Sequence, residues 1–276
     1  MIRKHIKVEP SRWYMHCDRE GILVWQDLPS PNLPEGHEAF ARQTFEEEAV
    51  RIIDAFENHP SIVQWVVFNE GWGQFDTERM TQVVIDKVSP QSLVCCASGW
   101  NDAEIGDIKD SHSYPYPSCP IDQKRACVNG EYGGITLKVP GHIWPGGDFG
   151  YTTVETPEDF TVMFNDLADK IKDHYYYGLN AAVYTQLSDV EIEKNGIYTY
   201  DRRILKPYSP TGDLKNKILE CINMPQSEVK VQTVVSTAKE HKYKWKFITE
   251  DNAPRYWFAK ELSLIHISEP TRHAQI

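Results

Sequence analysis

The chain has 276 residues, of which 41% are hydrophobic and 25% charged, the balance of an ordinary globular protein with room for one barrel-sized domain. A net charge of −11 argues against nucleic acid as a partner, because phosphates demand a basic face. No apolar run reaches the roughly 18 residues of a membrane span. Aromatics make up 12%, with eight Trp, which suits stacking on sugar rings as well as core packing. The six cysteines, Cys17, Cys95, Cys96, Cys119, Cys127 and Cys221, show no zinc spacing and are expected as free thiols. No signal peptide opens the chain and the compartment is not legible.

In chain order, Ile2, Ile6 and Val8 start an extended segment. Ser11 is expected to cap a short helix over residues 12–19 that Gly21 ends. Apolar runs follow at 22–25, 62–68, 93–97, 108–112, 126–128 and 181–185. Helical patterns lie between them at 37–57, 77–88 and 157–177, with Phe40, Phe45, Val50, Ile53 and Phe56 at helical spacing in the first. Alternating strand and helix predicts a parallel sheet with right-handed crossovers. With the opening segment the runs make about seven strands, where a closed barrel needs eight. The fold expected is an α/β, (β/α)8 TIM barrel over residues 1–206, lacking its first strand and cut at its N-terminus. Residues 207–261 are expected to begin a β-rich, sandwich-like accessory domain, from the alternating runs 229–235 and 242–247. Residues 262–272 resemble the in-frame translation of a sequencing adapter, so 262–276 are expected to be non-native.

Barrel enzymes carry their chemistry where strands end. The run at 62–68 ends in Asn69-Glu70-Gly71-Trp72-Gly73, and the run at 126–128 leads to Gly130-Glu131-Tyr132-Gly133-Gly134. A lone glutamate after a strand is usually a solvated loop residue. Two on separate strands are what glycoside hydrolysis requires, one carboxyl as proton donor and one as nucleophile, about 5–5.5 Å apart for a retaining enzyme.

These segments resemble glycoside hydrolase family 2, the β-galactosidase, β-glucuronidase and β-mannosidase group. The resemblance runs from Met1 to about Lys206 and is carried by Ile2-Arg3-Lys4-His5, Leu23-Val24-Trp25-Gln26-Asp27, His59-Pro60-Ser61-Ile62, Asn69-Glu70, Asp110-Ser111-His112-Ser113-Tyr114-Pro115, Gly130-Glu131 and Tyr184-Thr185-Gln186-Leu187-Ser188-Asp189. It implies that Glu70 is the general acid/base and Glu131 the nucleophile. Asn69 would bond the sugar 2-hydroxyl and Tyr114 would bond Glu131. His5, Trp25, Asp27, His112, Trp144 and Gln186 are candidate sugar contacts, each about as readily a rim or core residue. No cofactor or metal is expected, and the substrate is an oligo- or polysaccharide or a small β-glycoside. A β-galactosidase-like activity is the first expectation, and no clear basic clamp follows the nucleophile to favour a glucuronide. Oligomeric state is not legible. Three alternatives stay open: a family 5 cellulase-like enzyme, a non-catalytic carbohydrate-binding barrel or inactive fragment, and a metal hydrolase built on His112, His142 and Asp148.

Overall fold

A computed structural model describes residues 1–29, 36, 38–210, 213–224, 232–235 and 244–247. Its elements run β1 (Ile2–Lys4), α1 (Ser11–Glu20), β2 (Val24–Asp27), α2 (Glu38–Phe56), β3 (Ile62–Asn69), α3 (Thr77–Lys87), β4 (Leu93–Ser98), β5 (Ile108–His112) and β6 (Ala126–Gly133). They continue with β7 (Ile135–Thr136), β8 (Thr152–Thr153), α4 (Pro157–Tyr175), β9 (Leu179–Thr185), α5 (Asp213–Ile222), β10 (Gln232–Val235) and β11 (Lys244–Phe247). β1–β2–β3–β4 form one parallel sheet and β5–β6–β9 a second. Asp107 joins them at β4, its backbone N–H donating to Val94 O at 2.8 Å and its carboxylate accepting from Val94 N–H at 2.9 Å. Seven parallel strands among the described residues thus line one wall.

The packing is that of a barrel. Trp25, Val66, Cys95, Ile108 and Val128 come one each from β2, β3, β4, β5 and β6 and form a single buried cluster, with Ala181 and Val183 of β9 against it. This is a layer of inward side chains. Neighbouring positions point the other way, as pleating requires: Val24, Trp65, Val67 and Val94 pack outward on Tyr14 and Cys17 of α1, Phe45, Ala49 and Ile53 of α2, and Met80 and Val84 of α3. On the far side, Phe160, Phe164 and Leu167 of α4 pack on Ile135, Leu137 and Leu214. Leu214 belongs to α5, a helix that no sequence pattern had indicated. No helix among the described residues is long and apolar enough to cross a membrane.

Several boundaries move for physical reasons. β1 stops at Lys4 rather than running to Val8, because the chain turns across the end of β2. Ile6 there adopts φ +43°, its N–H donates to Asp27 Oδ2 at 3.2 Å, and Gln26 Nε2 donates to Lys7 O at 2.8 Å. Ser11 lies inside α1 and caps nothing; Pro10 is the N-cap residue, with no side-chain bond. β2 begins at Val24, not Ile22, since the Ile22 N–H closes α1 by donating to Cys17 O at 2.9 Å. β6 runs on through Glu131 to Gly133, held by β5 on one side and β9 on the other. The runs at 229–235 and 242–247 appear as the antiparallel pair β10–β11 over the part that is described. Residues 262–276 lie outside the described residues.

Candidate active site

Glu70 follows the last residue of β3, and Glu131 sits within β6. Glu70 adopts φ +56°, a left-handed conformation that costs a non-glycine residue about 1–3 kcal/mol and recurs at functional sites. Its N–H donates to Ser98 O at 2.7 Å, which fixes that turn against the end of β4. The nearest oxygens of Glu70 and Glu131, together with a ring nitrogen of His112, all lie within 4.8 Å of one another. His112, the last residue of β5, places Nδ1 2.9 Å from Glu70 Oε1 and 3.5 Å from Glu131 Oε2.

Arg3 organises the other side. Its guanidinium, 3% exposed, donates to Asp27 at 2.8 and 3.2 Å, to Glu131 Oε1 at 3.0 Å, to Asn69 Oδ1 at 2.7 Å and to Gly130 O at 3.1 Å. Burial works against its charge, but Asp27, Glu131 and Asp110 hold it protonated. Tyr114 donates its hydroxyl to Glu131 Oε2 at 2.6 Å and stacks on Tyr151 with ring centroids 3.5 Å apart. Burial first, then the Glu131 charge, pushes the Tyr114 hydroxyl well up. For Glu131, burial opposes ionisation, yet the Arg3 charge, with the Tyr114 hydrogen bond, holds its carboxyl below the usual range. The carboxylate is therefore kept charged in a partly dry site, as a nucleophile requires.

The expected contacts divide. Asn69 is buried and accepts from Arg3, His5 brings Nε2 to 3.6 Å from Glu131 while remaining half-exposed, and His112 bridges both carboxylates. Trp25 is corrected to a core residue, buried in the inward layer of the barrel. Asp27 is likewise buried, and its carboxylate is spent on Arg3 and Ile6 N–H, so it orients the guanidinium and does not reach a sugar. Trp144 leans on Tyr200 at 4.7 Å, and Gln186 donates to Asn195 Oδ1 at 2.7 Å; neither bonds the carboxylate pair. His142 pairs with Asp201, and Asp148 with Lys138 and Lys194, so His112, His142 and Asp148 do not assemble into a metal site. The grouping with metal-ligand spacing among the described residues is the Glu70–His112–Glu131 cluster itself. There the Arg3 cation already balances Glu131, and the imidazole nitrogen facing both carboxylates is already engaged. Arg3, Ser98, Asp110 and Trp72 were not singled out from the sequence. Arg3, Asp110 and Trp72 had a signal only as members of the segments Ile2–His5, Asp110–Pro115 and Asn69–Gly73, and Ser98 had none.

A family model described as "Glycosyl hydrolases family 2, TIM barrel domain" matches residues 9–211. Beta-mannosidase B of Aspergillus flavus is 26% identical over 137 residues, which cover 38% of this chain and 16% of that protein. Beta-mannosidase B of Emericella nidulans is 34% identical over 86 residues, 30% of this chain and 10% of that one. Among solved structures, a GH2 beta-galacturonidase from Eisenbergiella tayi bound to galacturonate superposes with a TM-score of 0.60 at 16% identity, covering 78% of this chain and 44% of that chain. A beta-glucuronidase from Ruminococcus gnavus in complex with D-glucuronic acid gives 0.51 at 13% identity, covering 79% and 42%. The chain thus spans less than half the length of the structures it resembles, and the matched stretches are a small part of the mannosidases. At these identities the structural likeness shows the barrel fold.

Proposed function

This chain belongs to glycosyl hydrolase family 2, and from that premise we propose that it carries the catalytic barrel of a retaining β-glycoside hydrolase. The observation that carries the proposal is the pair Glu70 and Glu131, with carboxylate oxygens within 4.8 Å at the carboxyl ends of two parallel strands. That separation fits direct attack by one carboxylate and leaves little room for the water an inverting enzyme places between them.

The roles follow from the partners. Glu131, held ionised by Arg3 and steadied by Tyr114, attacks the anomeric carbon. Glu70 gives its proton to the departing glycosidic oxygen, so the C–O electron pair leaves as an alcohol. Glu70 then takes a proton from water, whose oxygen displaces Glu131 from the anomeric carbon with net retention. Asn69 and His5 lie beside the nucleophile as sugar contacts. The paired assembly of Arg3, Tyr114 and His112 around both carboxyls supports turnover over a barrel that merely binds carbohydrate.

For the sugar we keep the β-galactoside as the first expectation. The β-mannoside is the second reading, favoured by the curated relatives being beta-mannosidases. Lys138 and Lys194, two of the lysines after the nucleophile, are paired with Asp148, which favours a neutral sugar over a uronide. The test is a panel of aryl β-glycosides with the matching 2-deoxy-2-fluoro glycosyl fluorides, followed by peptide mass spectrometry. The expected result is hydrolysis of one member and a covalent label on Glu131. Hydrolysis with label elsewhere refutes the assignment of roles; no hydrolysis and no label across the panel refutes the enzyme reading.

A further inference from the structure

Behind the carboxylate pair lies a buried line of polar groups that the double displacement does not use. It starts at Glu70 Oε1, 2.9 Å from His112 Nδ1. His112 Nε2 is 2.8 Å from Ser98 Oγ, and Ser98 Oγ is 2.5 Å from Asp110 Oδ2. The line crosses from β3 through β5 and β4. The His112 side chain is 1% exposed and Ser98 and Asp110 are buried, so water does not substitute for any link. Two glycines make room for it. A Cβ on Gly99 would stand 2.8 Å from His112 Nδ1, and one on Gly130 would meet both Asp110 oxygens and lie 2.7 Å from Ser98 Oγ.

Three links need three protons. Ser98 supplies one and a neutral His112 supplies one, so the third belongs to one of the two end carboxyls. A second proton on His112 would put a cation beside Arg3, whose NH1 can only donate and stands 3.4 Å from Nε2, so that contact is made when Nε2 is bare and given up when Nε2 carries the proton. The other oxygen of each end is already taken: Gly130 N–H donates to Asp110 Oδ1 at 2.6 Å, and Trp72 Nε1–H to Glu70 Oε2 at 2.9 Å. The third proton therefore has two addresses, Glu70 Oε1 and Asp110 Oδ2.

We propose that Asp110 shares one proton with Glu70 through Ser98 and His112, and that this relay sets whether Glu70 stands as acid or as base. With the proton on Glu70, its O–H donates to Nδ1, Nε2–H donates to Ser98, and Ser98 donates to Asp110. In the other arrangement the Glu70 proton has moved to Nδ1, the Nε2 proton to Ser98, and the Ser98 proton to Asp110. Three bonds to hydrogen break, three form, and the negative charge passes from Asp110 to Glu70. Burial, against the Arg3 charge and the hydrogen bonds from Ser98 and Gly130 N–H, raises the Asp110 carboxyl, in keeping with a group that can hold the proton. Double displacement needs Glu70 protonated for its first step, after which that proton leaves with the alcohol and water returns one; the relay sets where the proton rests before the sugar arrives. His112, Ser98 and Asp110 are positioning residues, since none touches the reacting atoms.

The inference rests on the glycosidase reading for its purpose, and the test separates the two. Asp110→Asn is close to isosteric: its Oδ1 still accepts from Gly130 N–H, and its Nδ2 donates permanently to Ser98. That mimics the protonated Asp110 and fixes Glu70 as the base. In the full chain labelled with ¹⁵N-histidine, with His112 assigned from the spectrum of His112→Gln, the ring is expected to be neutral. In Asp110→Asn its proton is expected on Nδ1 alone. In kinetics, Asp110→Asn and Ser98→Ala should lose much of the 10²–10⁴-fold that a positioned proton donor contributes for phenyl glycosides, which need the acid. They should lose under about threefold for 2,4-dinitrophenyl glycosides, which do not. Ser98→Thr, which keeps the hydroxyl, should restore the phenyl rate. A doubly protonated His112 in the unaltered chain, an Nε2–H ring in Asp110→Asn, or equal losses on both leaving groups would overturn the relay. A chain that cleaves no glycoside overturns the enzyme reading instead, and the nitrogen spectra still decide the relay.

Discussion

Replacing Arg3 by methionine removes one guanidinium and orphans two carboxylates. Asp27 is 1% exposed and Glu131 13%, so neither can recover much hydration. Methionine fills comparable volume, which leaves electrostatics as the main loss. Removing one partner of a buried ion pair costs about 3–5 kcal/mol, and here a single side chain serves both acids along with Asn69 and Gly130 O. Against a total stability of about 5–15 kcal/mol for a typical domain, that loss is severe. Arg3→Lys keeps the charge but not the planar fork, so one ammonium must choose between the acids; it should recover about half of the deficit. The pH dependence follows from Glu131, whose carboxyl is held below its ordinary range against the effect of burial. A depressed carboxyl contributes stability above its unfolded value and loses it as pH falls through the folded one. In Arg3→Met the orphaned Glu131 takes up its proton earlier in an acid titration, and the repulsion ends there. The gap to the unaltered chain should therefore be widest near about pH 7 and narrow toward about pH 4. Urea unfolding at both values measures it. A deficit under about 1 kcal/mol, or one that widens on acidification, would refute the electrostatic account of Arg3.

Tyr114→Phe deletes the 2.6 Å bond to Glu131 but keeps the ring stacked on Tyr151. Turnover should fall about 10²-fold, the scale of one oriented donor, with the melting temperature little changed; a loss under threefold in steady-state kinetics would count against the role. Gly99→Ala adds a methyl at φ +98° and 2.8 Å from His112 Nδ1, so both strain and displacement of the imidazole are expected. A cost of about 1–3 kcal/mol in denaturation and a changed His112 nitrogen spectrum should appear together. Lys206 and Asp189, both fully buried and 2.5 Å apart, should behave as a unit. Lys206→Met alone should cost about 3–5 kcal/mol, or very roughly 10 °C in thermal melting, and Lys206→Met with Asp189→Leu should recover much of it. Equal destabilisation in the single and double variants would argue that packing, not the orphaned charge, sets the cost.

Strand and helix order was legible because each signal is local. The run at 62–68 is apolar without interruption, as a strand buried on both faces must be, and Gly21 closes α1 in the left-handed conformation at φ +67°. Glu70 and Glu131 were legible as strand-end acids beside glycine and aromatic residues. What escaped depends on register. Arg3 reaches Glu131 across 128 positions of sequence, and only the curvature of the barrel wall brings β1 and β6 together. Trp25 looked like a rim aromatic from its place in the Trp25-Gln26-Asp27 segment. A one-residue change in where β2 begins decides whether that ring faces the lumen or the helices, and in the lumen it is core. Ser98 carried no signal and Asp110 only its place in the Asp110–Pro115 segment, since a serine and an aspartate inside apolar strands are unremarkable until His112 lies between them and Glu70. α5 was missed because the loop signal at Pro207–Gly212 masked a ten-residue helix whose one clear anchor is Leu214.

The division of labour between the two glutamates is set by that register. Two ionised carboxylates within 4.8 Å repel by at least about 3.5 kcal/mol at an effective dielectric of about 20, a cost that one proton on the pair removes. The neighbours decide which member keeps its charge. Arg3, His5 and the Tyr114 hydroxyl all converge on Glu131. Among the described residues, Glu70 receives the neutral indole N–H of Trp72 on one oxygen and faces the imidazole on the other. A permanent cation 3.0 Å away stabilises the Glu131 anion far more than an indole dipole stabilises a charge on Glu70. Moving Arg3 by one position along β1 would turn its side chain to the other face of the strand and leave only the Tyr114 hydroxyl and His5 to distinguish Glu131 from Glu70 among the described residues. In the proposed reaction the asymmetry between nucleophile and acid thus owes its largest share to the pairing of β1 with β2, which fixes Arg3 opposite Trp25.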